Sequence, residues 1–290
     1  MVVLVTGSTG QLGQSLQFIT PKFPEIDFVF CSSADLDITN LESCQAVFLK
    51  IKPNYCINAA AYTAVDKAES ESEKAHLINV IGAQNLAAVC KEYSTVLLHI
   101  STDFVFDGNA TKPYTENDIP NPTGVYGQTK LDGEKAIQDT FDNYFIIRTS
   151  WVYSQFGNNF MKTMLRLASE RDSISVVNDQ IGTPTNAVDL AEVLIKIITF
   201  SSLSFGEGRG EAFGIYNFSK EGQCSWYEFA KKIFEINNCT IDLKPIPTSS
   251  FPTPAKRPKF SVLDKCKIKQ VFGIEIKSWE ERLKEMQANK

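Results

Sequence analysis

The sequence predicts an α/β protein built on a doubly wound parallel sheet, with a smaller, interleaved C-terminal lobe. Three observations carry this. Residues 1–150 alternate short apolar runs with segments of helical character. The runs are continuous stretches of Val, Ile and Leu, the pattern of strands covered on both faces by helices. The first run closes directly on Gly7, in a glycine-spaced turn that opens a helix.

Val2–Thr6, Asp27–Cys31, Tyr55–Ala60, Val96–Ser101 and Tyr144–Thr149 read as strands. Between them Gln11–Ile19, Leu41–Ile51, Glu73–Glu92 and Tyr126–Thr140 have helical character, and a polar helix begins within Ala64–Ser72. After Trp151 the rhythm loosens. Asn158–Glu170 reads as an amphipathic helix and Ile174–Val177 as a short strand. Thr185–Phe200 reads as a helix capped by Thr185 or Asn186, and Ser201–Glu211 as a Ser/Gly-rich mobile loop. Ile215–Phe218 is a further strand and Ser225–Asn237 a further helix. Pro245, Pro247, Pro252, Pro254 and Pro258 predict extended loop.

At 290 residues, with 43% hydrophobic residues, the chain is long enough to bury a sizeable core in one domain or in one domain and a smaller partner. With 29 Lys and Arg against 34 Asp and Glu it carries a net charge of -5, which argues against a general nucleic-acid binder. No apolar run approaches the ~18–20 residues of a membrane span. MVVLVTGSTGQLGQ lacks a basic leader and meets the glycine turn at once, so it is not read as a signal peptide. The seven cysteines form no C-x-x-C pair and fit reduced thiols in a cytoplasmic protein. The two histidines, His76 and His99, are read as structural, which leaves neither a metal site nor a Ser-His-Asp triad expected; a divalent-ion requirement stays open.

Gly7, Gly10 and Gly13 give G-x-x-G-x-x-G between the first strand and the first helix. Gly7 makes the tight turn, Gly10 lets backbone approach a pyrophosphate, and Gly13 allows close helix–strand packing. The helix N-terminus then offers free N–H groups to phosphate. The second strand ends in Phe30-Cys31-Ser32-Ser33, with no acid for an NAD ribose and no cation for a 2′-phosphate. NADPH and NADH therefore stay open. Asp37 precedes Ile38 and could reach an adenine amino group, whereas Asp35 fits a cap or solvated turn equally well. Asn58-Ala59-Ala60-Ala61 ends a strand in small residues that admit a cofactor's ribose.

Tyr126 and Lys130 are four apart in a predicted helix, which puts them on one face. A phenol titrates near ~10, and a neighbouring ammonium would lower that, fitting the pair for proton exchange at a substrate oxygen. Ser101-Thr102-Asp103 ends another strand, where open α/β sheets bind ligands, and a hydroxyl there could bond the same oxygen.

These motifs, in this order, resemble the extended short-chain dehydrogenase/reductase family. Longer runs, namely AAYTAVDKAESE ending at Glu71, STDFVFDG (101–108), NPTGVYGQTKLDGEKA (121–136), RTSWVY (148–153), GNNFMKTMLRLA (157–168), DQIGTPT (179–185) and PTPAKRPKFSVLD (252–264), resemble its dTDP-4-dehydrorhamnose reductase branch. The resemblance implies a Rossmann-type fold and NAD(P)H-dependent reduction of the C4 ketone of a dTDP-linked 4-keto-6-deoxyhexose, yielding dTDP-L-rhamnose. It implies Tyr126 as proton donor, Lys130 as its pKa-lowering partner and ribose contact, and Thr102 as the hydroxyl on the keto oxygen. Gly7, Gly10, Gln11, Leu12, Gly13, Asp37, Ile38, Ala59, Ala61, Tyr62, Thr63 and Lys130 would hold the cofactor. Thr102, Asp103, Trp151, Lys256 and Arg257 would hold the sugar nucleotide, the two cations facing its diphosphate. Residues 1–150, with returns near 185–200 and 213–219, would form the dinucleotide domain, and 151–290 mainly the substrate lobe. The oligomer stays open, a homodimer included. Phe104 stands where many relatives carry Tyr, and Tyr62 where some carry His. A dehydratase would carry an acid after Asp103, where Phe104 stands, which weakens that class without removing it; another epimerase, dehydratase or reductase of the same family, or a non-catalytic NADP-binding regulatory subunit like that of methionine adenosyltransferase, are the remaining readings.

Overall fold

A computed structural model of the chain describes residues 1–203 and 212–288. Five strands, β1 (Val2–Thr6), β2 (Asp27–Phe30), β3 (Tyr55–Asn58), β4 (Val96–Thr102) and β5 (Tyr144–Thr149), fall where the apolar runs put them. A sixth arrives much later in the chain. β10 (Gly214–Asn217) pairs in parallel with β5, which completes a six-stranded sheet of order β10-β5-β4-β3-β1-β2. All its pairings are parallel.

Helices cover both faces. On one face α1 (Gln11–Ile19) and α8 (Ala187–Leu203) pack together over Val3, Val5, Ile57, Leu98 and Ile147. On the other α2 (Leu41–Ile51), α5 (Gly82–Glu92) and α6 (Val125–Gln138) cover Leu4, Cys56, Leu97 and Ile146. Alternate residues of each strand thus feed opposite cores, so both faces had to be apolar. Between β3 and α5 the chain forms α3 (Val65–Ala68) and α4 (Ser72–His76).

The expected single helix over 73–92 is interrupted by a π-type turn at Leu77–Ile81. Its cause is Asn79. The Asn79 side chain accepts from Tyr62 N (2.9 Å) and donates to Thr129 Oγ1 (3.1 Å). A Cβ on Gly133 of α6 would stand 2.2 Å from Asn79 O, so only glycine lets α6 approach this turn.

After β5 come β6 (Val152–Tyr153), α7 (Phe160–Glu170), β7 (Ser173–Val177), β8 (Ile181–Gly182) and β9 (Thr185–Asn186). β11 (Cys224–Ser225), α9 (Trp226–Ile236), β12 (Asp242–Ile246), α10 (Cys266–Phe272) and α11 (Trp279–Ala288) follow β10. A separate core of Tyr153, Met161, Ile174, Phe229, Ile233, Trp279 and Leu283 joins α7, α9 and α11. Ser225 and Glu228 close a capping box on α9. Asn186 caps α8 as expected, its Oδ1 accepting from Val188 N at 2.9 Å.

Two expectations change. Pro245 lies in a strand rather than a loop, because β12 pairs in parallel with β7 and places Pro245 opposite Val176. That strand is bonded on one side only, where a missing N–H can face the open edge. The expected loop at Ser201–Glu211 begins as the last turn of α8, through Leu203; its remainder lies outside the described residues.

Candidate active site

The carboxyl ends of β1, β3 and β4 meet the N-termini of α1 and α6, where the glycine turn, Ala59, Thr102, Asp103 and Tyr126 lie. Gly7 has φ +65°, and a Cβ on it would lie 2.6 Å from Ala60 N. A Cβ on Gly13 would meet Gly7 O at 2.4 Å, so α1 sits directly on the turn. Gly10 opens α1 with no side-chain cap. The first-turn amides are therefore left for an anion, and the residues present fit a pyrophosphate. Gln11 and Leu12 can serve it only through their amides. The Gln11 side chain accepts from Ser154 Oγ (3.1 Å) and Asn159 Nδ2 (3.0 Å), and Leu12 is buried in the core.

Asp37 is exposed and accepts from Thr39 N (2.9 Å) and Thr39 Oγ1 (2.7 Å). Ile38 is buried beneath Gly82, where a Cβ would come within 2.6 Å of Ile38 Cδ1. Asp35 caps the turn at Ser32 (2.9 Å from its N). Ala59 and Ala61 are half-buried, Thr63 is exposed, and the Tyr62 hydroxyl donates to Glu71 Oε2 at 3.1 Å.

Thr102 ends β4 and Tyr126 lies in the first turn of α6. The Thr102 hydroxyl, on the strand end beside Tyr126, donates to Asp103 Oδ1 (3.0 Å) and accepts from Phe104 N (3.2 Å). Gly127 makes this approach possible, since a Cβ there would meet Phe104 O at 2.2 Å. The Phe104 ring packs edge-on to Tyr126 at 5.6 Å. Ser101 takes no part in the crevice. Its hydroxyl donates to Glu134 Oε1, leaving Thr102 as the hydroxyl beside the phenol.

Tyr126 is not acidified in the free chain. Burial, reinforced by the Asp103 carboxylate, pushes its phenol up to about 12 against the opposing influence of the Thr102 hydroxyl. Lys130 is 2% exposed, and burial pushes it down to about 8 against the opposing pull of Glu134. Its ammonium was expected beside the phenol; instead Nζ donates to Ile100 O (2.7 Å) and lies 3.1 Å from His99 Nε2.

Asp103 is 1% exposed, with Oδ2 lacking a hydrogen-bond partner. Burial raises it to about 6, against the opposing influence of the nearby Ser261 and Thr102 hydroxyls. A carboxyl raised in the folded state contributes most to stability below its unfolded value near ~4, and that contribution is lost as pH rises through the folded value. Asp103→Asn is therefore expected to raise stability at pH above 6 by on the order of 2 kcal/mol, with no gain near pH ~4. Urea melts at the two pH values check this; an equal change at both would refute the charged, desolvated state of Asp103.

Arg257 does not stand free. Nη1 and Nη2 clasp Asp66 Oδ1 and Oδ2 at 2.9 and 2.7 Å, while Lys256 is exposed. The segment 252–264 thereby runs from α3 past Asp103, through Ser261, to Tyr114, whose N–H donates to Val262 O at 2.8 Å. Neither Asp66 nor Ser261 was singled out in sequence; only their membership of the longer motif runs hinted at them. Trp151 adopts φ +47° and stacks on Trp226 at 3.6 Å, its indole so close to Gly182 that a Cβ would lie 2.5 Å from Trp151 Cε2. Among the described residues no cluster of His, Cys, Asp and Glu could hold a metal ion.

The family described as RmlD substrate binding domain matches across residues 1–290. The chain belongs to that family. A dTDP-4-dehydrorhamnose reductase of Aggregatibacter actinomycetemcomitans is 42% identical over 292 residues, covering 99% of this chain and 98% of the relative. The crystal structure of dTDP-4-dehydrorhamnose reductase from Bacillus anthracis, in complex with NADP, matches with TM-score 0.93 and 41% identity, covering 100% of this chain and 99% of that one. A UDP-glucose 4-epimerase from Thermus thermophilus, with NAD, matches with TM-score 0.81 at 17% identity and speaks for the fold alone. As an RmlD-family protein the chain is thus a Rossmann-type, NAD(P)H-dependent oxidoreductase. No helix among the described residues is long and apolar enough to cross a membrane.

Proposed function

We propose that this chain reduces the C4 ketone of dTDP-4-dehydro-6-deoxy-L-mannose with NADPH, giving dTDP-L-rhamnose. The observation that carries the reading is the Tyr126 phenol in the first turn of α6, packed against the Thr102-Asp103-Phe104 end of β4, with the glycine cradle at the end of β1 in the same sheet. The nicotinamide supplies the hydride when bound. Everything else falls to this chain's own residues.

Gly7, Gly10, Gly13 and the first-turn amides of α1 receive the pyrophosphate, and the small strand end at Ala59 and Ala61 leaves room for the ribose. Thr102 and Tyr126 hold the keto oxygen from one side. Tyr126 gives its proton to that oxygen as charge develops there, and its raised pKa keeps the proton in place until then. Lys130, able to titrate near neutrality, then balances the phenolate. Asp103 and Trp151 contact the sugar. Lys256 is exposed to meet the diphosphate, and Arg257 meets it by leaving Asp66. Asp37, Ile38, Tyr62 and Thr63 line the nucleoside end. Phe104, apolar and edge-on to Tyr126, offers no second acid for an elimination, which favours reduction over dehydration.

The division of labour follows the fold. Residues 1–150 supply five strands of the main sheet, and β10 with α8 completes and covers it, which supports a dinucleotide half with returns from the later chain. The separate core of α7, α9 and α11 supports a sugar-nucleotide half. The unpaired thiols of Cys31, Cys44, Cys56, Cys90 and Cys224, all buried, support a cytoplasmic home.

NADPH oxidation with dTDP-4-keto-6-deoxy-L-mannose, against a panel of UDP-linked sugars, tests the reading. Turnover is expected with the dTDP substrate and a product with an equatorial C4 hydroxyl and no lost water, whereas an axial hydroxyl would show a C4 epimer of dTDP-L-rhamnose instead. Oxidation driven equally by the UDP panel, or none with the dTDP sugar, would overturn it.

A further inference from the structure

Beneath Lys130 runs a buried chain of polar side chains that the proposed reaction does not use. It passes from Lys130 to His99 on β4, to Asn58 on β3, and to Thr6 on β1. His99, Asn58 and Thr6 are each 1% exposed. Within a sheet core such a chain persists only if every member is satisfied.

The direction of each bond follows from one backbone group. Ala60 N–H and the Thr6 hydroxyl approach the same Asn58 atom, at 3.2 and 2.7 Å, the N–H being shared with Thr6 Oγ1 at 3.3 Å. A backbone N–H can only donate, so that atom is Oδ1. The Asn58 amide nitrogen is then the atom 3.0 Å from His99 Nδ1, and it too can only donate. Nδ1 must accept, and a neutral ring then carries its hydrogen on Nε2. The ring stays neutral because burial holds it well below the ordinary histidine range.

Nε2–H points at Lys130 Nζ, 3.1 Å away. An ammonium has no lone pair to receive it. A neutral amine does, and still has a hydrogen for Ile100 O at 2.7 Å. We propose that His99 is a positioning residue for Lys130, docking the lysine on β4 as its neutral amine and releasing it toward the crevice once it gains a proton. The inference rests on the proposed pairing of Lys130 with Tyr126. It gives His99, read from sequence as a plain core residue, a part in the timing of that pair.

The charged surroundings agree with this. On α6 the carboxylate facing Lys130 is Glu134, already engaged by Arg148 of β5. On β4, below the amine, stands only the neutral ring of His99; beyond Thr102, Asp103 faces Tyr126. Where it sits, the ammonium has only a carboxylate already shared with Arg148, whereas turning to a phenolate gives it a counter-charge of its own. Neutral lysine is parked, and charged lysine is delivered.

The experiment uses the whole chain, labelled with 15N, and long-range correlation of the ring nitrogens. Only His76 and His99 contribute, and His76, exposed on α4, is assigned by His76→Gln. His99 is expected as the Nε2–H tautomer with a bare Nδ1 throughout the neutral range. A ring protonated on Nδ1, or on both nitrogens, would overturn the proposal. This readout does not depend on turnover, so it stands or falls separately from the reductase reading. The kinetic arm compares pH profiles of kcat/KM for NADPH oxidation. His99→Phe removes the donor that favours the neutral amine, so the limb belonging to Lys130 is expected to move up by about one pH unit. His99→Gln restores a donor and returns the limb toward the wild-type position. A limb that stays put or moves down in His99→Phe would show that the ring accepts from an ammonium, and the proposal would fail.

Discussion

Tyr126→Phe is expected to lower kcat by ~10²–10⁴-fold while leaving NADPH affinity close to that of the parent chain. The phenol is the one acidic proton beside Thr102 at the carboxyl end of β4, and Phe keeps the ring that packs edge-on against Phe104. Truncation of the hydroxyl thus removes the proton without disturbing the packing of α6. The effect should fall on kcat more than on KM, because the bond to the keto oxygen strengthens as negative charge develops there. Steady-state turnover with fluorescence titration of NADPH checks both halves. A variant with unchanged turnover would end the role assigned to Tyr126. A variant that has also lost NADPH would mean that the phenol serves the cofactor instead. The pH profile adds a second reading. Lys130, pushed down to about 8, should govern the alkaline limb of the parent enzyme, since above that value the charge that balances the phenolate is gone.

Much of this site could be read in the sequence because its requirements are local. The turn at Gly7 needs a positive φ and a missing Cβ within a few residues of chain, and Gly7, Gly10 and Gly13 write that directly. The spacing of Tyr126 and Lys130 is one helical turn, so pattern alone puts them on a common face. What stayed hidden is what distant chain segments do to each other. Asp66 and Arg257 lie 191 positions apart, and nothing in either neighbourhood announces that one will clasp the other. The π-type turn at Leu77–Ile81 leaves the apolar periodicity of its helix almost unchanged; its cause, the contact of Asn79 with α6, is tertiary. Pro245 misled because proline is a poor strand former in general, while a strand bonded on one side tolerates it. Lys130 was expected to act on Tyr126 because spacing shows which residues share a face. It does not show that a histidine on the sheet below will compete for the amine.

The largest effect on stability is expected one turn beyond Lys130. Glu134 and Arg148 are 1–2% exposed in their side chains and joined through two bonds, Nε to Oε1 at 3.0 Å and Nη2 to Oε2 at 2.7 Å. Ser101 donates to the same carboxylate, and the guanidinium lies 5.2 Å from the Phe106 ring. The pair fastens α6 to β4 and β5, and with it the helix that presents Tyr126. Among the described residues neither makes another ion pair, and Arg148 Nη1 lacks a partner. Glu134→Ala should therefore cost about 3–5 kcal/mol, most of it the penalty of leaving a guanidinium desolvated and alone. Replacing both charges, Glu134→Leu with Arg148→Met, removes that penalty and should recover most of the loss, because two apolar chains of similar length can fill the space. Turnover need not return with stability. The double variant also deprives Lys130 of the carboxylate that raises its pKa, so its alkaline limb should move to lower pH even in a well-folded protein. Urea melts of the two singles and the double, read beside their pH profiles, separate the two effects. If Glu134→Ala melted within about 1 kcal/mol of the parent, the ion pair would be open to solvent, and the anchoring of α6 would have to be sought in its apolar contacts instead.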